Sequence, residues 1–421
     1  MLFVALLSIC LYSCSLQMSD GSVFQDAVME ETETVRPGSS YNPYEISSYG
    51  DLVDMFELVV GSGRSVKAVL TSDIVIPTPE DPNDRTLVDF PEGVDIDLDL
   101  RGHSIIPAED LSGTNKYLAG VYGSLNVHDG RLGDDDLEGH PISRVLWVLP
   151  GAELELRNVT VCAYSTTYGS AIYVDGYAMI DKSEIHGTKF AMAVTESGSC
   201  LIRGNSLFTS IASNRLTYDG LGTDGYAYTL YSDGDITIES ARVFGLQGAI
   251  SINAGSARLY DGVYAHARED IMEIGIMPQD YETFYLDHRR KEFKGQNGPV
   301  KDELYYGLYV AGETNLANEP QCAIYGGEYI SNHKNAVQVG NANDGGVGAT
   351  AYAVIYAGRF TNGAGVNYAI YAEGEPGYGH GVISIEGGLF RSNVNLNQLI
   401  DDTKFKIEGP RSDGYYEVVP V

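Results

Sequence analysis

Residues 353–360 read AVIYAGRF and residues 383–390 read ISIEGGLF. Counted from the first residue of each, positions 0, 2, 5 and 7 are Ala353, Ile355, Gly358 and Phe360, then Ile383, Ile385, Gly388 and Phe390. Upstream the same frame holds Leu98, Leu100, His103, Ile105; Leu125, Val127, Gly130, Leu132; Leu154, Leu156, Val159, Val161; and Ala178, Ile180, Ser183, Ile185. It holds again at Cys200, Ile202, Asn205, Leu207; Ile236, Ile238, Ala241, Val243; Ala257, Leu259, Gly262, Tyr264; and Cys322, Ile324, Gly327, Tyr329. Position 2 is Leu, Ile or Val in all ten copies, and position 7 is always aliphatic or aromatic. With 43% hydrophobic residues overall, chance does not give that regularity.

Positions 0 and 2 alternate as a strand with one buried face does. The break before position 5 is a corner, often beside glycine, as at Asp129-Gly130, Asp261-Gly262 and Gly387-Gly388. Glycine accepts the positive φ that a sharp corner demands. Position 7 then opens a second inward face. A further apolar strand precedes nine copies, at 117–122, 143–148, 169–174, 190–194, 226–232, 248–252, 305–310, 335–340 and 367–372. Three strands and three turns per repeat predict an all-β, single-stranded right-handed parallel β-helix of about ten rungs or slightly more. Cys200 and Cys322 fall at position 0 and are expected to fill the core. Residues 48–60 put Leu52, Met55, Phe56 and Val59 on one helical face, a cap for the open apolar end.

Composition bounds the rest. The 421 residues include 49 Gly and 30 Tyr, as many short strands and turns require. A net charge of −31 argues against nucleic acid as a partner and repels polyuronates and anionic lipid headgroups. Residues 1–14, MLFVALLSICLYSC, form an uncharged apolar run too short to span a bilayer. Leu11-Tyr12-Ser13-Cys14 matches the lipobox of bacterial lipoprotein signals, which makes Cys14 the expected lipidation site. Residues 15–43 are acidic and aperiodic and read as a flexible tether, leaving 44–421 as the folded domain. After cleavage Cys162, Cys200 and Cys322 remain, an odd count that argues against a disulfide framework.

YEISSYGDLVDMFELVV (44–60), VKAVLTSDIVI (66–76) and VDIDLDLRGHSII (94–106) resemble a module of surface β-helix proteins of gut bacteria, which are pectin-lyase-like and adhesin-like lipoproteins. Arg101 stands where that module usually has asparagine, at an exposed turn. NYAIYAEG and GVISIEGGLF resemble later rungs of the same proteins. The resemblance covers most of 44–395. It implies the architecture and a cell-surface or outer-membrane location, and no demonstrated reaction.

A β-helix invites comparison with polygalacturonases, which carry Asn-Thr-Asp, Asp-Asp and Gly-His-Gly on neighbouring rungs. Here Gly222-Thr223-Asp224-Gly225 resembles the first motif, but Gly248 and Ala249 stand where the acid pair belongs. Gly379-His380-Gly381 resembles the third motif, several rungs too far along. Hydrolysis needs two carboxylates flanking the bond. Asp224 and His380 are therefore candidates only if the chain is an enzyme. Asp134-Asp135-Asp136 is a possible cation cluster, more simply read as a solvated acidic loop.

Two loop regions stand out. Copies at 257 and 322 lie 65 residues apart, and the excess, about 268–303, holds Tyr281, Phe284, Tyr285, Arg289, Arg290 and Lys291. Aromatics beside cations suit sugar stacking or anion contact; pairing with the acidic body explains them equally well. Within it DIMEIGI (270–276) has the pattern of one more strand. The turns at 311–321, 341–351 and 373–381 are longer than their earlier counterparts and bring Asn315, Asn343, Asp344, Tyr378 and His380 to one side. That side is expected to bind glycan or Ca²⁺, or else to cover a sheet edge. Asn332, Asn362 and Asn393 repeat after position 7 and read as a structural asparagine ladder. Three functions follow: a surface binding or adhesion protein that recognises glycan or a cell surface, a polysaccharide lyase or glycoside hydrolase, or a structural spacer.

Overall fold

The computed structural model describes residues 38, 42–63, 65–81, 83–108, 116–134, 144–163, 170–187, 190–210, 228–245, 248–266, 306–311, 319–331, 334–340, 349–363, 365–373 and 380–421. The signal and nearly all of the tether expected from the sequence lie outside them. Pro37–Val421 forms one compact unit. It is all-β, with strands stacked in parallel repeat upon repeat.

Each repeat contributes one strand to each of three columns. The first column runs from Ser65–Leu70 through Asp95–Asp99, Tyr177–Asp181 and Ser256–Leu259 to Gly381–Ile385. The second runs from Ile74–Ile76 to Gly388–Phe390. The third is a ten-stranded sheet from Thr86–Phe90 to Ile370–Ala372. Ser124–Asp134 and Glu153–Ala163 bend around the corner without interruption, which joins the first two columns into one sheet.

The register follows the repeat through most of the chain. In the first column Leu125, Leu154, Ala178 and Cys200 are successive Cα partners. The same row continues through Ile236, Ala257, Cys322, Ala353 and Ile383. All are buried, as are their position-2 neighbours from Val127 to Ile385. Strands in such a ladder lie about 4.8 Å apart, so each side chain packs on its counterparts above and below. Cys200 and Cys322 are core fillers as expected, and burial pushes the Cys322 thiol up to about 12.

Three expectations need correction. In the first copy Leu98, not Leu100, pairs with Val127, while Ile105 still pairs with Leu132. Two extra residues therefore sit in that corner, where Arg101 takes a φ of 48°. Leu100 stays buried by lying over Gly130, where a Cβ would meet the Leu100 Cβ at 2.4 Å. In the fifth copy one extra residue makes Phe208, not Leu207, the partner of Ile185 and Val243. At the slip the Ser183 N–H donates to Ser206 Oγ, whose hydroxyl in turn donates to the Arg203 carbonyl. Finally, the first copy also has its third-column strand, Thr86–Phe90, and an earlier rung, Ser65–Leu70 with Ile74–Ile76, lies beneath it.

Both ends are covered. The helix Tyr49–Val59 buries Leu52, Met55, Phe56 and Val59, the four residues expected from its periodicity. Ser48 caps it by accepting the Asp51 N–H, and Asp51 in turn accepts from Ser47 N and Oγ. At the other end Phe405–Glu408 pairs antiparallel with Tyr416–Pro420, which pairs antiparallel with Gly388–Phe390. This hairpin closes an edge that would otherwise invite another chain. The guanidinium of Arg359 lies 4.1 Å from the centroid of the Tyr415 ring, and that of Arg391 5.4 Å. The asparagine ladder is not found at Asn362, whose amide donates to the Val366 carbonyl within its own turn; Asn332 lies outside the described residues.

Candidate binding face

The outward side chains of the first column form a continuous exterior face, because residues flanking the inward positions must point away from the core. Its two ends differ in chemistry.

In the early rungs it is ionic. Lys67 lies 2.7 Å from Asp97, Arg203 lies 3.2 Å from Asp181, and Arg157 pairs with Glu155. At the centre stands His128, beside Asp99 in register. Its Nδ1 is 2.9 Å from Asp129 Oδ2 and 3.6 Å from Asp99 Oδ1, and its Nε2 is 3.4 Å from Asp97 Oδ1. Asp129, at φ 60°, is held by Asn158 Nδ2, which donates to its Oδ1 at 2.7 Å. The Asn158 bond first, then that of His128, draws the Asp129 carboxyl below its usual range.

In the late rungs the same row becomes aromatic. Tyr260, Tyr325 and Tyr356 stack with centroids 4.7 and 5.0 Å apart and planes within about 10°. They keep 44%, 40% and 42% of their surface exposed. Tyr352 and Val382, partners of Gln321 and Tyr352 respectively, are also exposed, near the start of strands in the same column. Stacking covers both faces of Tyr325, so solvent meets ring edges and hydroxyls there. An aromatic edge is the positive side of the ring quadrupole, and a phenol donates as well as accepts. Such a strip suits oxygen-rich ligands.

The third column is different outside. Tyr117 stacks on Trp147 at 5.3 Å, and Tyr228 on Tyr309 at 5.9 Å, but Tyr117, Tyr228 and Tyr309 are buried. Within that column Trp147 Nε1 donates to Asp175, just past the end of the next strand, and Asn253 Nδ2 to Asp233. Burial raises the carboxyls of Asp89, Asp233 and Glu373, all on or just past strands of this column.

Of the residues singled out from sequence, Cys14, Asp224, Tyr281, Phe284, Tyr285, Arg289, Arg290, Lys291, Asn315, Asn343, Asp344 and Tyr378 lie outside the described residues. His380 is described; its carbonyl accepts the Ala351 N–H at 2.9 Å. Gly248 and Ala249 open a buried strand, and a Cβ at Gly248 would meet the Tyr228 ring at 2.1 Å. An aspartate does not fit there without displacing Tyr228. The strands before residue 267 pair directly with those after residue 305.

Neither half of the exterior row was read from sequence. Tyr260, Tyr325 and Tyr356 all occupy position 3 of the repeat, in LYDG, IYGG and IYAG, a signal visible once outward positions are read too. Asp99 and His128 were hidden by the two-residue shift at Leu100, which aligned Asp99 with Asn126 instead. No family model, curated protein or solved structure matches this chain.

Proposed function

We propose that this chain is a right-handed parallel β-helix whose first-column exterior binds an oxygen-rich polymer, a glycan of a cell surface, without turning it over. The observation that carries the reading is the exposed tyrosine strip. Three phenols repeat at the spacing of the rungs on a rigid sheet. A rigid row of aromatic edges and hydroxyls needs little ordering on binding, which favours affinity. The absence of room for an acid at position 248 supports binding over polygalacturonase-type hydrolysis. The handedness rests on the strong preference of parallel crossovers for the right-handed sense.

The test is a glycan-array screen of the full chain beside a Tyr260→Ser, Tyr325→Ser, Tyr356→Ser variant. The native chain is expected to retain a defined set of glycans and the variant to lose at least tenfold in affinity while melting cooperatively. Binding unchanged in the folded variant would move the site elsewhere. Unsaturated products or reducing ends released from a bound glycan would replace the reading with an enzymatic one.

Export belongs to the same proposal. The apolar leader ending at Cys14 supports a lipid-anchored protein displayed at the cell surface. A Cys14→Ala chain is then expected to leave the membrane fraction, and an unchanged distribution would count against the anchor.

A further inference from the structure

The cluster around His128 has a geometry that an ion pair alone does not require. One potential ligand atom from each of His128, Asp129 and Asp99 lies within 4.8 Å of the other two. His128 Nδ1 stands 2.9 Å from Asp129 Oδ2 and 3.6 Å from Asp99 Oδ1. Ligands about 2.0–2.2 Å from a shared zinc-like centre stand about 2.8–3.6 Å apart, so the observed spacings need little adjustment.

A neighbour stands near the remaining polar atom of each of these side chains. His128 Nε2 stands 3.4 Å from Asp97 Oδ1, and its Nδ1, the nitrogen the metal would take, lies 2.9 Å from Asp129 Oδ2. Asp129 Oδ1 accepts from Asn158, which turns Oδ2 toward the imidazole. Asp99 Oδ2 is 3.7 Å from Arg101 Nε, and its Oδ1, which also accepts the Arg101 N–H at 2.9 Å, faces His128. The backbone holds the set in place: Asp99 and His128 are lateral partners on adjacent strands, and Asp129 is pinned at the corner. Arg157, which could compete as a counter-charge, pairs with Glu155.

We propose that His128, Asp99 and Asp129 bind one divalent first-row transition-metal ion, with a water in the outward position. The donor set selects the ion class. One imidazole with two carboxylates suits Zn²⁺ and its neighbours, whereas Ca²⁺ takes six to eight oxygens. This site does not depend on the glycan reading and lies in the ionic half of the face.

The experiment is calorimetric titration of the full chain with ZnCl₂ and, separately, CaCl₂, at about 0.15 M salt to screen the acidic surface. The same titrations on His128→Gln and Asn158→Ala chains complete it. The native chain is expected to bind one more equivalent of Zn²⁺ than His128→Gln, at an affinity that CaCl₂ in equal concentration does not reduce. Asn158→Ala is expected to keep that equivalent about 10–100-fold weaker, because only the orientation of Asp129 is lost. Cooperative melting of both variants in the absence of zinc checks that they fold. Equal stoichiometry and affinity in native and His128→Gln chains overturns the proposal, as does displacement of Zn²⁺ by equimolar Ca²⁺.

Discussion

The early and late repeats are built on one register with two different corner designs. In the early ones a non-glycine residue turns the chain, Asp129 at φ 60°, Asn158 at 55° and Lys182 at 50°, and the inward residues that follow are Leu132, Val161 and Ile185. In the late ones a glycine turns it, and the inward residues are Tyr264, Tyr329, Phe360 and Phe390, stacked at 4.9, 5.1 and 4.9 Å. The two features are linked. A Cβ at Gly358 would stand 2.9 Å from the Phe360 ring, so at that corner the aromatic favours glycine, whereas Phe208 follows Ser206, whose hydroxyl bonds into its own corner. At the corresponding place in an early repeat Val159 precedes Val161, and both are buried. Outside, the same division separates the ionic network around His128 from the tyrosine strip. The lesson is that a stack of parallel strand repeats can change its core and its surface chemistry together, provided the corner changes with them.

The largest expected effect tests whether the two halves stand alone. Ile238 is fully buried in a strand between them, within one apolar core cluster that spans both. Ile238→Asp places an unpaired carboxylate there, at a cost of several kcal/mol, roughly 3–5. Loss of the whole cooperative transition in a circular dichroism melt is expected; a surviving transition of half amplitude would mean the halves fold independently.

A smaller effect compares the corners directly. Gly358→Ala is expected to cost about 2–4 kcal/mol in urea denaturation, since its φ of 130° and the Phe360 ring both oppose a side chain. Asn158→Gly at an early corner is expected to change stability by less than about 1 kcal/mol, because glycine accepts that conformation readily. Equal costs at the two positions would remove the distinction drawn here.

The smallest effect concerns pH. Burial raises the Asp233 carboxyl, so its favourable contribution is complete below the unfolded pKa and is lost as pH rises through the higher folded value. At neutral pH the ionised group therefore costs stability, and Asp233→Asn is expected to gain a few tenths of a kcal/mol after allowance for solvent screening, with the Asn253 contact kept. The gain should shrink on acidification. Asp129 has the opposite sign: its lowered carboxyl stabilises above the unfolded value and ceases to do so as pH falls through the folded one. A melting temperature of Asp233→Asn below that of the native chain at neutral pH would reverse this assignment.

Much of the fold was legible in the sequence because inward positions are constrained twice over, by a period of two along the strand and by recurrence from rung to rung. Leu154, Ala178, Ile236 and Cys322 could be placed on one row from that pattern alone, and Leu52, Met55, Phe56 and Val59 on one face of the cap. The exceptions are instructive. Leu100 and Leu207 satisfied the apolar pattern yet lost their places to Leu98 and Phe208, because a corner can absorb one or two residues without exposing anything apolar. Hydrophobic periodicity does not see such a shift. Hydrogen-bond register does, since each strand must align its N–H and C=O groups with the strand beneath. That register decided which outward residues meet. It brought Asp99 beside His128, and it stacked Tyr260, Tyr325 and Tyr356 across segments of unequal length. The sequence determined the rows because burial acts on each residue separately; the tertiary structure alone decided the candidate sites, because a site is a relation between rungs.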